Sequence, residues 1–239
     1  MNVNANGLLF NELNALIRSS TDKNVEITDC LGQRFIAAGE SEKHILLHGT
    51  PGNALGAYLN GATIEVFGNA QDATGDTMND GRIIVHGNIG DAAGYAMRGG
   101  TIFVKGNAGY RAGIHMKAYR EKIPHLVIGG AAGSFLGEYQ AGGVIILLGL
   151  GAKGNVLGNF PCTGMHGGKM LVRSDCKKVI FPQNVHTTKL GADEMAEFVP
   201  AITEFCSLFG FDVAEVLDSD FTLITPDSKN PYKQMYVQN

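Results

Sequence analysis

The stretch Ile83-Ile-Val-His-Gly87-Asn-Ile-Gly90-Asp-Ala-Ala-Gly94 is followed, nineteen residues on, by Ile102-Phe-Val-Lys-Gly106-Asn-Ala-Gly109-Tyr-Arg-Ala-Gly113. Each opens on a short β-branched or aromatic run, closes it on glycine and continues as Gly-x-x-Gly-x-x-x-Gly. A fixed period has to be followed along the chain first, because it decides architecture before any single element does. Working outward, similar segments occupy Ile45 to Gly49, Ile64 to Gly68, Leu126 to Gly130 and Ile145 to Gly149, with Met170 to Ser174 last. The end positions 49, 68, 87 and 106 are 19 apart, and the steps to 130, 149 and 174 are 24, 19 and 25. Two units therefore carry insertions. The glycine triplets, expected at the turns, are Gly49/Gly52/Gly56, Gly87/Gly90/Gly94, Gly106/Gly109/Gly113 and Gly130/Gly133/Gly137. The unit at Gly68 places Gln71 in the middle slot and Gly75 last, and Gly149 keeps the phase of the following unit.

A unit this short cannot hold a βαβ crossover, which needs roughly 30 residues. It suits one coil of a β-helix. The expectation is an all-β fold, a single-stranded parallel β-helix (solenoid) of about seven 19-residue coils over residues 25–175. An N-terminal helical segment (1–24) and a C-terminal helical tail (176–239) would flank it. Alternation assigns Ile45, Ile64, Ile83, Ile102, Leu126, Ile145 and Met170 to one inward column. Leu47, Val66, Val85, Val104, Ile128, Leu147 and Val172 form a second. Leu59, Met78, Met97, Met116 and Met165 form a third, with Gln140 as its exception. Asn69, Asn88 and Asn107 keep the same period and predict an amide ladder along one corner. The glycines fall where the chain turns or where neighbouring coils approach too closely for a Cβ.

The outward column Leu46, Glu65, Ile84, Phe103, Val127, Ile146 and Leu171 is apolar at every position but one, and such a stripe needs a cover. Two covers are available: a partner subunit, or a C-terminal helix over Asp193 to Phe209, with Phe198, Ile202, Phe205 and Phe209 at helical spacing and Pro200 as a kink. A second helix, Leu8 to Ser19, carries Phe10, Leu13, Leu16 and Ile17 on one face and would cap the coil stack or reach outward.

Composition narrows the function. With 44% hydrophobic and 18% charged residues among 239, the chain is of the globular class. A net charge of −4 without a basic run argues against nucleic acid or an anionic membrane as partner. The longest apolar stretch, Val144 to Leu148, is far too short to span a bilayer, and the polar start lacks a signal-peptide pattern, so the expected location is cytoplasmic. Cys30, Cys162, Cys176 and Cys206 lack CxxC spacing, which leaves neither a zinc knuckle nor a disulfide framework.

Several local motifs invite chemistry. Gly149-Leu-Gly151-Ala-Lys-Gly154 spells a dinucleotide fingerprint, but the residues after it, through Pro161, break the helix that the phosphate site requires. Cys162 and His166 could form a thiol and imidazole pair. Aligned through Met165, Cys162 replaces a turn glycine in the column of Gly94 and Gly113; aligned through Gly151, Gly154 and Gly158, it lies in an inserted loop. His48 and His86 share an outward column with Phe67 and Lys105, but two coils apart means roughly 10 Å between backbones, too far for one ion without strain. Arg111, His115, Lys117, Arg120, Glu121 and Lys122 cluster in and beside the five-residue insertion before Pro124, where a polar bulge on a regular scaffold favours binding.

The run Gly87 to Gly94, the segment Ile128-Gly-Gly-Ala-Ala-Gly-Ser-Phe-Leu-Gly-Glu-Tyr-Gln-Ala-Gly-Gly143 and Gly164-Met-His-Gly-Gly168 resemble the GXGXG domain at the C-terminal end of the glutamate synthase large subunit. That resemblance implies a right-handed β-helix acting as an architectural element between a glutamine amidotransferase and an FMN and iron-sulfur synthase part. The chain shows no amidotransferase nucleophile, flavin barrel or cysteine cluster of its own. It is therefore expected to be the separate-subunit version found in archaeal-type glutamate synthases and in N-methylglutamate synthase, to whose ends Phe221-Thr-Leu-Ile-Thr-Pro through Pro231-Tyr232 is similar. On this reading the chain holds no catalytic, cofactor or metal residue and is not catalytic alone. FMN and the iron-sulfur centre belong to a partner, and the partners are an amidotransferase-like chain and an FMN-dependent synthase-like chain. Arg111, His115, Arg120, Cys162 and His166 are the candidate interface residues. The scaffold component of the molybdenum or tungsten formylmethanofuran dehydrogenases shares the repeat, as at Gly106 to Gly109, and is the alternative family. The turn Pro124-His-Leu-Val-Ile-Gly-Gly130 and Leu-Gly-Glu-Tyr139 are more similar to the glutamate synthase branch. A third reading is an independent ligand-binding protein using the Cys162/His166 loop.

Overall fold

A computed structural model describes residues 1–191 and 193–227. The glycine-terminated runs become β3 (His44–Thr50), β4 (Asn60–Phe67), β5 (Asp80–Val85), β6 (Thr101–Val104), β7 (His125–Ile128), β8 (Ala141–Leu147) and β9 (Gly167–Val172). Ahead of them lie β1 (Asn2–Asn4), α1 (Phe10–Ser19) and β2 (Asn24–Leu31). After them come β10 (Val185–Lys189), α2 (Val199–Phe209), α3 (Val213–Leu217) and β11 (Thr222–Pro226).

The topology corrects the expected single-stranded parallel β-helix of about seven coils with helical flanks. Among the described residues the strands form one eleven-stranded mixed sheet in the order β1 through β9, then β11, then β10. Neighbours from β1 to β9 are parallel, whereas β11 runs antiparallel to both β9 and β10. The flanks supply strands as well as helices. A sequence period specifies which residue lies beside which at a fixed offset, and it is silent once the repeat stops. Past Val172 the chain is free to turn back and cover the open edge of β9, which would otherwise present unpaired backbone groups.

Within the repeat the predicted columns are register partners. Ile45, Ile64, Ile83, Ile102, Leu126, Ile145 and Met170 stand side by side, and all are fully buried. The column from Leu47 to Val172 and the methionine column are buried in the same core. Gln140, the exception, is also fully buried; its Nε2 donates to the Gly142 and Gly143 carbonyls at 3.2 Å, and its Oε1 has no partner. α1 adds Leu13 and Ile17 to one end of this core, while Phe10 and Leu16 on its other side remain partly exposed.

The segments between strands are bonded from unit to unit as well. One wall is a chain of parallel bridges, Ala70 to Ile89 to Ala108 to Ala132 to Leu157. Beside it the Asn ladder takes a different form from the one expected. Each side-chain oxygen accepts from a backbone N–H of the next unit, Asn69 from Asn88, Asn88 from Asn107 and Asn107 from Ala131, each at 2.8 Å. Asp72 and Asp91 repeat the device toward the N–H groups of Asp91 and Tyr110. A Cβ on Gly87, Gly106 or Gly130 would overlap the ladder oxygen of the preceding unit, so the ladder itself excludes a side chain there.

The triplet glycines, all expected at turns, divide into two kinds. The last of each triplet does turn the chain: Gly56, Gly75, Gly94, Gly113 and Gly137 lie in turns with φ between 62° and 71°. The middle glycines correct the expectation, because Gly52, Gly90, Gly109 and Gly133 fall outside the turns and outside the left-handed region. Their side chains are excluded by the preceding unit. A Cβ on Gly52 would overlap the Gly32 carbonyl, and one on Gly133 would come within 2.8 Å of the Gly109 carbonyl.

On the wall that carries the last glycines every second residue takes positive φ: Ala92, Gly94 and Ala96 in one unit, Arg111, Gly113 and His115 in the next, then Phe135, Gly137 and Tyr139. Their N–H groups point alternately forward and back, Arg111 to Ser134 O and Gly113 to Ala93 O, tying three units together. The left-handed cost of about 1–2 kcal/mol for each non-glycine residue is thus offset by inter-unit hydrogen bonds.

The outward stripe is covered by the chain itself. Ile84, Phe103, Val127, Ile146 and Leu171 pack with Phe198, Ile202, Phe205 and Phe209 in a second core. Pro200 does not kink a long helix. A 3-10 turn over Glu194–Glu197 ends before it, and Pro200 lies in the first turn of α2, where its missing N–H costs nothing. Gly210, at φ 74°, closes α2 with its N–H on Cys206 O. An Arg82–Glu204 ion pair and Arg173 Nε donating to Val216 O at 2.9 Å fasten the helices to the strands.

Candidate functional site

The positive-φ wall turns alternate side chains outward, and what it displays there is aromatic. Tyr95 meets His115 edge-on at 5.9 Å, and His115 stacks on Tyr139 at 5.2 Å with an interplanar angle of 10°. Phe135 lies 5.4 Å from Phe160, and the Arg111 guanidinium stands over Phe135 at 5.5 Å. Tyr95, Tyr139 and Phe160 are 39%, 45% and 63% exposed, and no element among the described residues covers them. The backbone sets this display. Arg111 and Phe135 occupy the first left-handed position of their units, His115 and Tyr139 the third, and the 24-residue step aligns each pair. The next unit carries Gly164 at the third position, and the Tyr139 ring occupies the space that a Cβ there would need.

Beneath the rings lies a charge. Glu138 is 7% exposed, and Arg111 Nε approaches its Oε2 at 2.9 Å as an ion pair rather than a well-aligned hydrogen bond. The pair fixes the guanidinium from one side and leaves its opposite edge facing solvent over Phe135. Aromatic rings with an anchored arginine are the composition of energetic centres in protein interfaces.

The candidate residues divide three ways. Arg111 and His115 come together through Glu138 and Tyr139, since His115 N–H also donates to Glu138 O at 3.0 Å. Arg120 stands apart, over the Tyr119 ring in a tight turn closed by Tyr119 and Lys122. Lys122 ties that turn back to Asp80 at 2.7 Å, and Lys117 lines a cleft at its foot. Cys162 and His166 face different surroundings. Cys162 is fully buried with φ +59°, and its N–H donates to Leu136 O just as Gly137 N–H donates to Ala112 O. It therefore takes the turn-glycine position rather than lying in an inserted loop. Its thiol faces Met170 Sδ at 3.6 Å, and burial pushes it up to about 12, far from a usable thiolate. The other three thiols are raised by burial too, Cys30 to about 11. His166 looks outward, its Nδ1 within 2.9 Å of Gly164 O.

The two remaining motifs have structural partners. Gly149 to Gly154 opens no helix; turns and bends lead to Leu157, which rejoins the ladder beside Ala132. His48, Phe67 and His86 form a face-to-face stack with 4.9 Å between successive centroids, ended by Phe209 edge-on at 5.3 Å. Glu26 and Glu65 each meet one of the two imidazoles.

Sequence reading missed Glu138, Tyr95, Tyr139, Phe135 and Phe160 as members of this surface. Part of the signal was present two residues after the last glycine of three triplets, where Tyr58, His115 and Tyr139 fall, but Ala96 follows Gly94 in the same way. Glycines draw attention as turns, and their neighbours' direction follows only when the alternation of positive φ is known.

Comparison with known proteins places this architecture. The family described as the GXGXG motif matches residues 21–228, nearly the whole of the sheet and its covering helices. The chain belongs to the GXGXG motif family. A relative, the uncharacterized protein MJ1350 of Methanocaldococcus jannaschii, is 44% identical over 249 residues, covering 98% of this chain and 95% of that protein. Among solved structures, a chain of the formyltransferase/hydrolase complex (FhcABCD) from Methylorubrum extorquens, determined with methylofuran, matches with a TM-score of 0.65 and 22% identity. The match covers 87% of this chain and 75% of that one, and it is a likeness of fold. No helix among the described residues is long and apolar enough to cross a membrane.

Proposed function

We propose that this GXGXG chain is a noncatalytic scaffold subunit of a multi-subunit complex of the glutamate synthase type. Its partners would be an amidotransferase-like chain and an FMN-dependent synthase-like chain, with FMN and the iron-sulfur centre held by the latter, working in the cytoplasm. The observation that carries the reading is the wall of Tyr95, Arg111, His115 and Tyr139, anchored by Glu138 and left uncovered among the described residues, on a chain that already covers its other apolar face. Family membership supports it, since the GXGXG domain is the part of glutamate synthase that holds catalytic parts in relation. The buried, strongly raised Cys162 thiol weighs against an independent catalytic role for Cys162.

A second reading, a scaffold in an assembly that handles formyl groups like the formylmethanofuran dehydrogenases, is favoured by the fold shared with a chain of the FhcABCD complex. Native purification at endogenous levels tests both. A stoichiometric flavoprotein and an amidotransferase-type chain, identified by mass spectrometry with flavin absorbance in the same peak, are expected. Formyl-transferring or molybdopterin-type partners would move the assignment to the second reading. A chain that elutes alone would overturn the scaffold proposal.

A further inference from the structure

The inserted turn over residues 118–122 does more than interrupt the repeat. It stands beside two glycine pairs, 142–143 and 167–168, and between them lies a cleft of about 630 Å³, within the range of small-molecule sites. Lys117 and Ile123 edge it on the insertion side, His166 and Lys169 on the other, and Glu197 reaches in from the covering helical segment. Lys117 is exposed and forms no ion pair among the described residues. Lys169 is held in place by Glu197, which occupies only part of the donor capacity of its ammonium. The His166 Nδ1–H donates to Gly164 O, which leaves Nε2 as the acceptor of the ring. Ile123, Ala118 and Val144 add an apolar wall.

We propose that this cleft binds a small organic anion, a carboxylate or phosphate on a short apolar body. Two ammonium groups against a single carboxylate favour a negative ligand. Lysines act as point charges, which suits a compact anionic group. The wall is preorganised, because Lys122 pins the insertion to Asp80 and Tyr119 pairs with Lys122, so little ordering is needed on binding. The glycine pairs have a structural origin, as a Cβ on Gly142 or Gly167 would strike the neighbouring unit's backbone. Their consequence is a floor without side chains, against which a ligand meets backbone directly. Anion binding here is independent of the scaffold reading and survives if that reading fails.

Amide chemical shifts of the 15N-labelled full chain, titrated separately with succinate and with inorganic phosphate at constant ionic strength, provide the test. Saturable shifts in the millimolar range are expected at Gly142, Gly143, Gly167 and Gly168. Lys117→Ala should weaken binding about tenfold, the loss of one charge-assisted hydrogen bond. Lys117→Gln, which keeps most of the stem, should lose as much, while Lys153→Ala on a remote loop leaves binding unchanged. Response to succinate alone assigns a carboxylate ligand, and response to phosphate alone assigns a phosphate. Shifts that fail to saturate with either anion, that fall elsewhere, or that are equal in the Lys117 variants would overturn the proposal.

Discussion

Two outward faces of this molecule are rich in apolar surface, and among the described residues only one is covered. On the strand face Ile84, Phe103, Val127 and Ile146 lie under Phe198, Ile202 and Phe205 of the chain's own C-terminal segment. On the positive-φ wall Tyr95, His115, Tyr139 and Phe160 stay open to solvent. The first face is mostly aliphatic, with no polar atom to satisfy, and it gains by permanent burial. The second is built from rings that tolerate water at their edges and carries Arg111 anchored on a buried Glu138. The difference separates surface that folding requires from surface that remains for something else.

The two faces should differ most sharply at Phe205. Truncation to alanine should cost about 3–5 kcal/mol in urea denaturation, because the ring is fully buried between the strand face and its aromatic neighbours. A loss below about 1 kcal/mol would mean that the helix is a loose cover rather than part of the core. Tyr139→Ala is the counterpart on the open wall. Its stability cost should stay under about 1 kcal/mol, whereas affinity for a purified partner, measured by titration calorimetry, should fall by about 2 kcal/mol. Equal effects on stability and binding would erase the distinction between the faces.

The ladder that supports both faces is tested by Asn88→Ala. It removes the acceptor for the Asn107 N–H and should cost about 1 kcal/mol by thermal denaturation, without altering the strand face. The smallest effect concerns the inserted turn. The hydrogen bond from Lys122 holds the Asp80 carboxyl below its ordinary range, against the opposing effect of burial. A depressed acid stabilises the fold above its unfolded pKa of about 3.9 and loses that contribution as pH falls through the folded value. Asp80→Asn should therefore lower stability at neutral pH by less than about 1 kcal/mol, with the gap to the parent closing in acid, as followed by melting curves across pH.

Much of the interior was legible. A nineteen-residue period placed Ile64 beside Ile83 and Val85 beside Val104, and these are the register partners. The same period could not tell a glycine that turns the chain, such as Gly56, from one that only makes room for the unit before it, such as Gly52 or Gly133. Two helices were legible as apolar faces, although Pro200 begins one rather than bending it. What escaped was the closing hairpin-like pair β10 and β11, since Val185–Lys189 has no repeat and little apolar content to mark it. The tail residues Pro231 and Tyr232, read as similar to other chain ends, lie outside the described residues.

For the site the balance shifts. Arg111 and His115 were singled out for lying near an insertion, but their partners, Glu138 for both and Tyr139 for His115, are more than twenty residues away along the chain. Cys162 and His166 are close in sequence and face opposite ways, because a left-handed residue at 162 turns the thiol inward to Met170.

By itself the sequence determined the order and register of the parallel strands β3 to β9, because stacking like on like at a fixed period is a local rule repeated many times. Only the tertiary structure decided which apolar face is covered, how the sheet ends and which residues meet across units. Those outcomes depend on where distant segments return, and burial energy depends on total contact rather than on any short pattern in the chain.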